Sequence, residues 1–298
     1  MPIERNPVSA TQHAPNVSKP TVTADTLLRA SPLPALEARV LLMHVLGWRR
    51  TELITRGERA LEAAQIDAYR ALEARRVQGE PIAQLVGARE FYGLDFDVTP
   101  DVLIPRPETE LLVETALAAM EGHAQPRVLD LGTGSGAIAV AIASARPDAR
   151  VWAVDRSQAA LDVAARNAAK LLDARRPGGA LTFVAASWYD ALDPALRFDV
   201  IVSNPPYIAS GDPHLAQGDL RFEPRGALTD EADGLTALRA IVSGAPAYLA
   251  PGGALWMEHG YDQAAAVRAL LDTQGFADVR SEADLAGIER ISGGRLMN

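Results

Sequence analysis

Asn204-Pro205-Pro206-Tyr207 follows the apolar run Phe198-Asp199-Val200-Ile201-Val202-Ser203, which reads as a strand stopping at a polar amide. Two consecutive prolines fix their own φ angles, hold the residue before them extended, and offer no N–H to a ladder. The carbonyls there are left free. The Asn204 side-chain oxygen and the Pro205 carbonyl can together accept both hydrogens of a planar primary amine or amide, with the Tyr207 ring against its plane. Methylation of an amide or aromatic amine needs such a grip, because the nitrogen lone pair is delocalised and must be held facing the methyl donor. Asn-Pro-Pro also serves simply as a turn after a strand, so the rest of the chain has to decide.

A second constellation lies upstream. Val128-Leu129-Asp130-Leu131-Gly132-Thr133-Gly134-Ser135-Gly136-Ala137-Ile138 reads as strand, glycine turn and helix start. Gly132 and Gly134 permit positive φ and close approach of a ligand, and Gly136 lets helix pack on strand. Gly132-x-Gly134-x-x-Ala137 also satisfies a relaxed dinucleotide fingerprint. Asp155, at the end of the next strand, can chelate the ribose hydroxyls of a nicotinamide cofactor or of S-adenosylmethionine equally well. The Asn204 loop favours the methyl donor, since both loops lie at the carboxyl ends of strands, the edge where such sheets bind ligands. Trp188 follows the third strand at that edge and can cover an adenine ring, or stand as a core or rim aromatic. Asp130 can steady the donor's ammonium group or the turn itself. The five histidines, His13, His44, His123, His214 and His259, show no metal-ligand spacing, and no metal is expected.

The elements that carry these residues alternate. Candidate strands are Arg127 to Leu131, Arg150 to Val154, Leu181 to Ala185, Phe198 to Ser203, Ala254 to Glu258 and Asp278 to Ser281, with alanine-rich helical runs between most of them. Such alternation predicts an α/β fold with a doubly wound, mostly parallel sheet. A helix is expected from Pro107, where proline suits a first turn and Glu108 and Glu110 favour the dipole. Residues 208–234, rich in Asp, Pro, Gly and Arg, are too long for an ordinary connection and read as a lid. Upstream, Leu36, Val40, Leu41, His44 and Val45, then Ile66, Tyr69, Leu72 and Val77, recur at helical spacing. The expected organisation is a disordered tail over 1–24, a helical domain with the start of a hairpin over 25–92, and a catalytic domain over 93–298.

The chain of 298 residues can bury two cores, and its 48% hydrophobic and 22% charged residues are ordinary for a globular protein. With no cysteine, it has no disulfide, thiolate metal site or thiol nucleophile. The densest apolar stretch, Ala137 to Ala143, is far short of the roughly 18 residues of a membrane span. A cytoplasmic protein without a membrane partner is expected. The net charge of −9 disfavours direct nucleic-acid binding, which draws its affinity from Lys and Arg on phosphates.

Taken together, Arg89-Glu90-Phe91-Tyr92-Gly93-Leu94, Leu103-Ile104-Pro105-Arg106-Pro107-Glu108-Thr109-Glu110, Asp130 to Gly136, Asn204-Pro205-Pro206-Tyr207-Ile208 and Arg221-Phe222-Glu223-Pro224 carry a resemblance. From about residue 25 onward the chain resembles the class I S-adenosylmethionine-dependent methyltransferases, and within them the release-factor glutamine methyltransferases that modify the Gly-Gly-Gln loop. The resemblance implies a seven-stranded-type methyltransferase sheet, and implies that Gly132, Thr133, Gly134, Ser135, Gly136, Asp155, Trp188 and Asn204 contact S-adenosylmethionine. It implies that Asn204, Pro205, Pro206 and Tyr207 hold the substrate glutamine, with Asn204, Pro205 and Tyr207 in the catalytic role, and that the helical domain docks the release factor. Ala186-Ser187 stands before Trp188 where the family pattern has Gly-Asp or Ser-Asp. Arg106-Pro107-Glu108 can contact the cofactor or lid, or merely cap a helix. Glu223-Pro224 can be an ordinary turn, and Glu258 either an active-edge or a solvent-facing carboxylate. Alternatives are a ribosomal-protein glutamine methyltransferase, disfavoured by Arg106 to Glu110, a DNA adenine methyltransferase, disfavoured by the charge, and a nicotinamide dehydrogenase or non-catalytic nucleotide-binding module.

Overall fold

A computed structural model describes residues 21–297 and divides the chain into two compact units that meet between Val77 and Gln78. The expected tail falls outside the described residues as far as residue 20, and Thr23 already belongs to the first helix as its cap.

The first unit holds α1 (Ala24–Ala30), α2 (Ala35–Leu46), α3 (Arg50–Thr55) and α4 (Ala63–Val77). Thr23 and Thr26 cap α1 reciprocally, satisfying donors that the first turn would otherwise leave unpaired. Gly47, at φ 64°, ends α2 in the left-handed conformation. The buried face of α2 is Ala38, Leu41 and Leu42, and α4 contributes the fully buried Tyr69. Leu36 and Val77 share the predicted periodicity, yet they stand 72% and 54% exposed, one in the first turn of its helix and the other at the last residue of its own. Periodicity continues to a helix end even where no neighbour remains to cover it.

The second unit opens with α5 (Ile82–Val86) and a hairpin, β1 (Ala88–Phe91) and β2 (Leu94–Asp97). Its two-residue turn, Tyr92-Gly93, has φ of 52° and 74°, the positive pair that matches the twist of the strands. Tyrosine is an uncommon occupant there. The carboxylates of Glu110 and Glu90 accept the amides of Tyr92 and Gly93 at 2.9 and 2.7 Å and hold the turn. Pro107–Thr109 form a single 3-10 turn that leads into α6 (Glu110–Ala119).

The rest alternates as predicted. β3 (Arg127–Leu131), α7 (Ala137–Ala145), β4 (Arg150–Asp155), α8 (Gln158–Leu171), β5 (Thr182–Ala185), β6 (Phe198–Ser203), α9 (Arg225–Leu228), α10 (Thr236–Tyr248), β7 (Leu249–Glu258), α11 (Ala264–Thr273), β8 (Phe276–Ala283) and β9 (Glu289–Leu296) follow in order. Seven strands make one sheet in the order β5-β4-β3-β6-β7-β9-β8, parallel except for β9, which runs antiparallel to both its neighbours. α6 and α7 pack on one face around Leu112, Val140 and Ile142; α10 and α11 cover the other with Leu238, Ile241, Val267 and Leu271. Val128 to Leu131 are buried, because β3 lies inside the sheet between β4 and β6.

The candidate strands are all present, and β9 is the addition. Its Ser-Gly-Gly segment carries little strand propensity. The reason lies across the sheet, where Gly293 pairs with Trp256 of β7 on one side and Arg280 of β8 on the other. The buried Trp256 indole lies across the glycine, with the Arg280 guanidinium 4.7 Å from its ring centroid. A Cβ at Gly293 would stand 2.3 Å from both the Leu255 carbonyl and the indole. Gly293→Ala is therefore expected to destabilise the protein by about 1–3 kcal/mol through overpacking, read as a lowered midpoint in thermal or urea unfolding; an unchanged midpoint would show that the indole can move aside.

Candidate active site

The glycine turn after β3 is held by the strand beside it. Gly132 and Thr133 both donate to the Val154 carbonyl, at 2.8 and 2.9 Å, and Gly134 donates to Asp155 Oδ2 at 2.9 Å. Gly132, Gly134 and Gly136 all have positive φ. At Gly136 a Cβ would come 3.0 Å from that of Ala164, so this glycine serves the contact of α7 with α8. At Gly134 a Cβ would meet no protein atom within 4 Å. That turn faces open space, a cradle for a ligand rather than a packing contact.

Asp130 resolves toward the turn. Its Oδ2 accepts from Thr133 Oγ1 at 2.7 Å and from the Ala139 amide at 3.2 Å, and it does not line the cleft. Full burial pushes its carboxyl up to about 7, against the pull of those two hydrogen bonds. Oδ1 is left without a partner.

The cleft itself has a volume of about 310 Å³, in the range of small-molecule sites. Gly132 to Ser135, Asp155 and Trp188 lie along it together with Asn204 and Pro206, whereas Gly136, Pro205 and Tyr207 are not part of its lining. Asp155 Oδ1 accepts from the Ser157 amide at 2.9 Å, and each of its oxygens keeps a lone pair for a hydroxyl donor. Trp188 has φ 51°, a backbone state that costs energy for a bulky residue and accompanies functional constraint. Its ring lies over Gly132, 3.6 Å from where a Cβ would stand. Glycines without side chains, an aromatic face and a carboxylate at a strand end fit the nucleoside and chain of S-adenosylmethionine.

The acceptor end is built from three distant segments. The buried Ser203 hydroxyl donates to the Leu131 carbonyl at 2.7 Å, fastening the end of β6 to the end of β3. Asn204 Nδ2 then donates to Thr109 Oγ1 at 3.1 Å, and Thr109 Oγ1 donates to Glu258 Oε2 at 2.6 Å. The Tyr207 hydroxyl donates to Glu258 Oε1 at 3.1 Å. Glu258 is 2% exposed, and burial raises its carboxyl above the usual range while the two hydroxyls act in the opposite direction. Burial, then the charge of Glu258, raises the Tyr207 phenol, which stays protonated and a donor. No donor among the described residues reaches the Pro205 carbonyl.

The segment 208–234 supplies a wall of this cleft through Pro224, Gly226 and Ala227. Glu223 is more than a turn residue: buried, it pairs with Arg106 and accepts the Ile104 amide at 2.9 Å. Arg106 thus does contact the lid segment, and Arg156 reaches the Gly226 carbonyl at 3.3 Å. Thr109 and Glu223 stand in the motifs that carry the resemblance, but motif reading assigned neither of them a role in the site. Their signal was a neutral hydroxyl inside a charged run and an acid beside a proline.

Comparison with known proteins shows the family. Residues 22–87 match the PrmC N-terminal domain and residues 107–218 the methyltransferase small domain. The chain is 73% identical over 282 residues to the release factor glutamine methyltransferase of Burkholderia pseudomallei, across 94% of this chain and 99% of that one. It is 60% identical over 270 residues to the enzyme of that name from Bordetella pertussis, across 91% and 98%. A methyltransferase from Pyrococcus furiosus, 18% identical, shares the fold with a TM-score of 0.50 over 76% of this chain and 98% of that one.

Asp155→Ala is expected to weaken S-adenosylmethionine binding roughly 10- to 150-fold, the equivalent of one charge-assisted hydrogen bond of ~1.5–3 kcal/mol. Turnover at saturating donor should fall less. Calorimetric titration measures the first, and an unchanged affinity would remove Asp155 from the site.

Proposed function

This chain belongs to the release factor glutamine methyltransferase family, and from that premise we propose how its cleft performs the reaction. The enzyme is a protein-glutamine N5-methyltransferase acting on a release factor. The finer reading is that the donor is S-adenosylmethionine and the acceptor is the side-chain nitrogen of the glutamine in the Gly-Gly-Gln motif. The observation that carries it is Asn204, at the end of β6, lining the same cleft as the glycine turn and Asp155.

When bound, S-adenosylmethionine supplies an electrophilic sulfonium methyl. Gly132 to Ser135, Asp155 and Trp188 hold and orient that donor in the cleft. Asn204 Oδ1 and the Pro205 carbonyl accept the two hydrogens of the glutamine amide, which turns the face of its nitrogen toward the methyl and leaves the weak nucleophile no other orientation. As the N–C bond forms, positive charge grows on that nitrogen, and the same two oxygens stabilise it. S-adenosylmethionine, once bound, would give up this methyl as an electrophile and keep the bonding pair on its sulfur. The methylated nitrogen is then strongly acidic and gives its extra proton to water or a carbonyl. Glu258, already accepting from Thr109 and Tyr207, is not needed as a base.

The helical unit of residues 21–77 is assigned to docking of the release factor, because every residue of the cleft lies in the second unit. The net charge of −9 argues against direct contact with nucleic acid. The enzyme is assigned to the cytoplasm, a reading supported by a substrate from translation and by a sequence free of cysteine. No helix among the described residues is long and apolar enough to cross a membrane.

Asn204→Ala should lower kcat on release factor by ~100-fold or more, the scale of losing one preorganised transition-state hydrogen bond. Asn204→Asp should fail as well, since it loses the amide donor and adds charge beside a sulfonium. Steady-state turnover on purified release factor measures both, and near-normal rates would contradict the role of Asn204.

Docking is tested on the exposed apolar residues of the first unit, Leu36 and Ile54, which stand 72% and 73% exposed. The double substitution Leu36→Asp, Ile54→Asp is expected to raise the KM for release factor several-fold while donor affinity stays constant. A KM equal to that of the unaltered enzyme would move docking elsewhere.

A further inference from the structure

We propose that Thr109 and Glu258 form a one-way hydrogen-bond relay that locks the Asn204 side-chain amide with its oxygen toward the methyl acceptor, which makes both of them positioning residues. The proposal deepens the reading of the cleft as a glutamine methylation site and rests on it.

A carboxamide is nearly symmetric in shape. Turned over, Asn204 would present two N–H donors where the reaction requires an acceptor, and they would face the hydrogens of the substrate amide. Prolines stiffen the backbone after Asn204, but they do nothing to choose between the two side-chain orientations. The choice is made by Thr109. Its hydroxyl carries one proton, donated to Glu258 Oε2 at 2.6 Å, and this donation together with that of the Tyr207 hydroxyl opposes the burial that raises the Glu258 carboxyl. Toward Asn204 the same oxygen has only a lone pair to offer. The contact of 3.1 Å must therefore be an Nδ2–H donor, and Oδ1 is left for the acceptor.

The relay has no slack at its far end. Glu258 is buried, and its other oxygen is taken by the Tyr207 hydroxyl. One carboxyl group thus governs both Asn204 and Tyr207, the first and last residues of the Asn-Pro-Pro-Tyr segment. Thr109 is itself 4% exposed and sits where the 3-10 turn enters α6. Residues 109, 204 and 258 come from three segments far apart in the chain; Thr109 and Asn204 line the cleft, and Glu258 does not. A relay that serves orientation acts chiefly on the methyl acceptor, since Gly132 to Ser135, Asp155 and Trp188 supply most of the contacts to the donor.

Thr109→Val keeps the shape and removes the hydroxyl. It is expected to lower kcat roughly 10- to 100-fold, the cost of misplacing a reacting group, while calorimetric donor affinity stays within about threefold. Thr109→Ser, which restores the hydroxyl, should return kcat to within about threefold of the unaltered enzyme. If Thr109 merely braced α6, donor affinity and melting temperature would fall together with kcat, and that joint loss overturns the proposal. So does full activity in a folded Thr109→Val enzyme. A measurement on the unaltered protein stands apart from the variants' folding: with asparagine amides labelled with nitrogen-15, the Asn204 Nδ2 protons should show a nuclear Overhauser contact to the Thr109 methyl. Absence of that contact sinks the relay. Failure of the unaltered enzyme to methylate release factor would instead sink the functional reading, and the Overhauser contact would separate the two.

Discussion

The parallel pairing of β3 with β6 is the constraint on which the rest of the site depends. Leu131 and Ser203 are register partners, the last residues of their strands, and the Ser203 hydroxyl ties them together at 2.7 Å. One residue beyond each lies the business of the cleft, Gly132 on one strand and Asn204 on the other. In a doubly wound sheet the crossover helices leave both loops on the same edge. Adjacency of donor cradle and acceptor grip is therefore a property of strand order, and a slip of one residue in this register would turn the end of a strand to the opposite face.

Around that edge, three buried carboxyl groups act as anchors for otherwise irregular backbone. Asp130 gathers the hydroxyl of Thr133 and the amide of Ala139 into the glycine turn. Glu223 joins the Ile104 amide to Arg106 and thereby holds residues 208–234 against the cleft. Glu258 takes two hydroxyls, one from the turn before α6 and one from the proline segment. A buried carboxyl is costly unless its oxygens find donors, so each of these acids dictates where its donors stand. The cleft is shaped from behind by groups that, for the most part, do not face it.

The fold was legible because periodicity and glycine punctuation are local. The strands, the turn at Gly132 to Gly136 and the stop at Asn204 could all be read from residue order, and their placement on one edge followed from βα alternation. β9 was hidden because Gly293 is set by a tryptophan almost forty residues upstream rather than by strand propensity. Leu36 and Val77 carried the right period at positions that nothing covers. At the site, Thr109 was obscured by the charged residues flanking it, and Glu258 was indistinguishable from any acid at a strand end. Both derive their meaning from contacts 95 and 149 residues apart in the chain, which no spacing rule can see. Trp188 was identifiable as an aromatic at the edge, while its left-handed backbone was not.

The interlock of Trp256 with Gly293 reaches further than the strand it hides. These residues occupy a single shared volume, the indole filling the space that a side chain at 293 would need. A smaller residue at 256 would free only part of that space, because the Leu255 carbonyl stands as close, so ring and backbone together fix the glycine. Because β7 and β9 are in register there, Glu258 lies opposite Ile291 only two residues further along each strand. Drift at the pair would shift the strand that presents Glu258, and with it Thr109 and Asn204. In mutational terms, the catalytic amide is coupled to a glycine that touches no substrate, and the sheet's least conspicuous strand belongs to the inheritance of the active site.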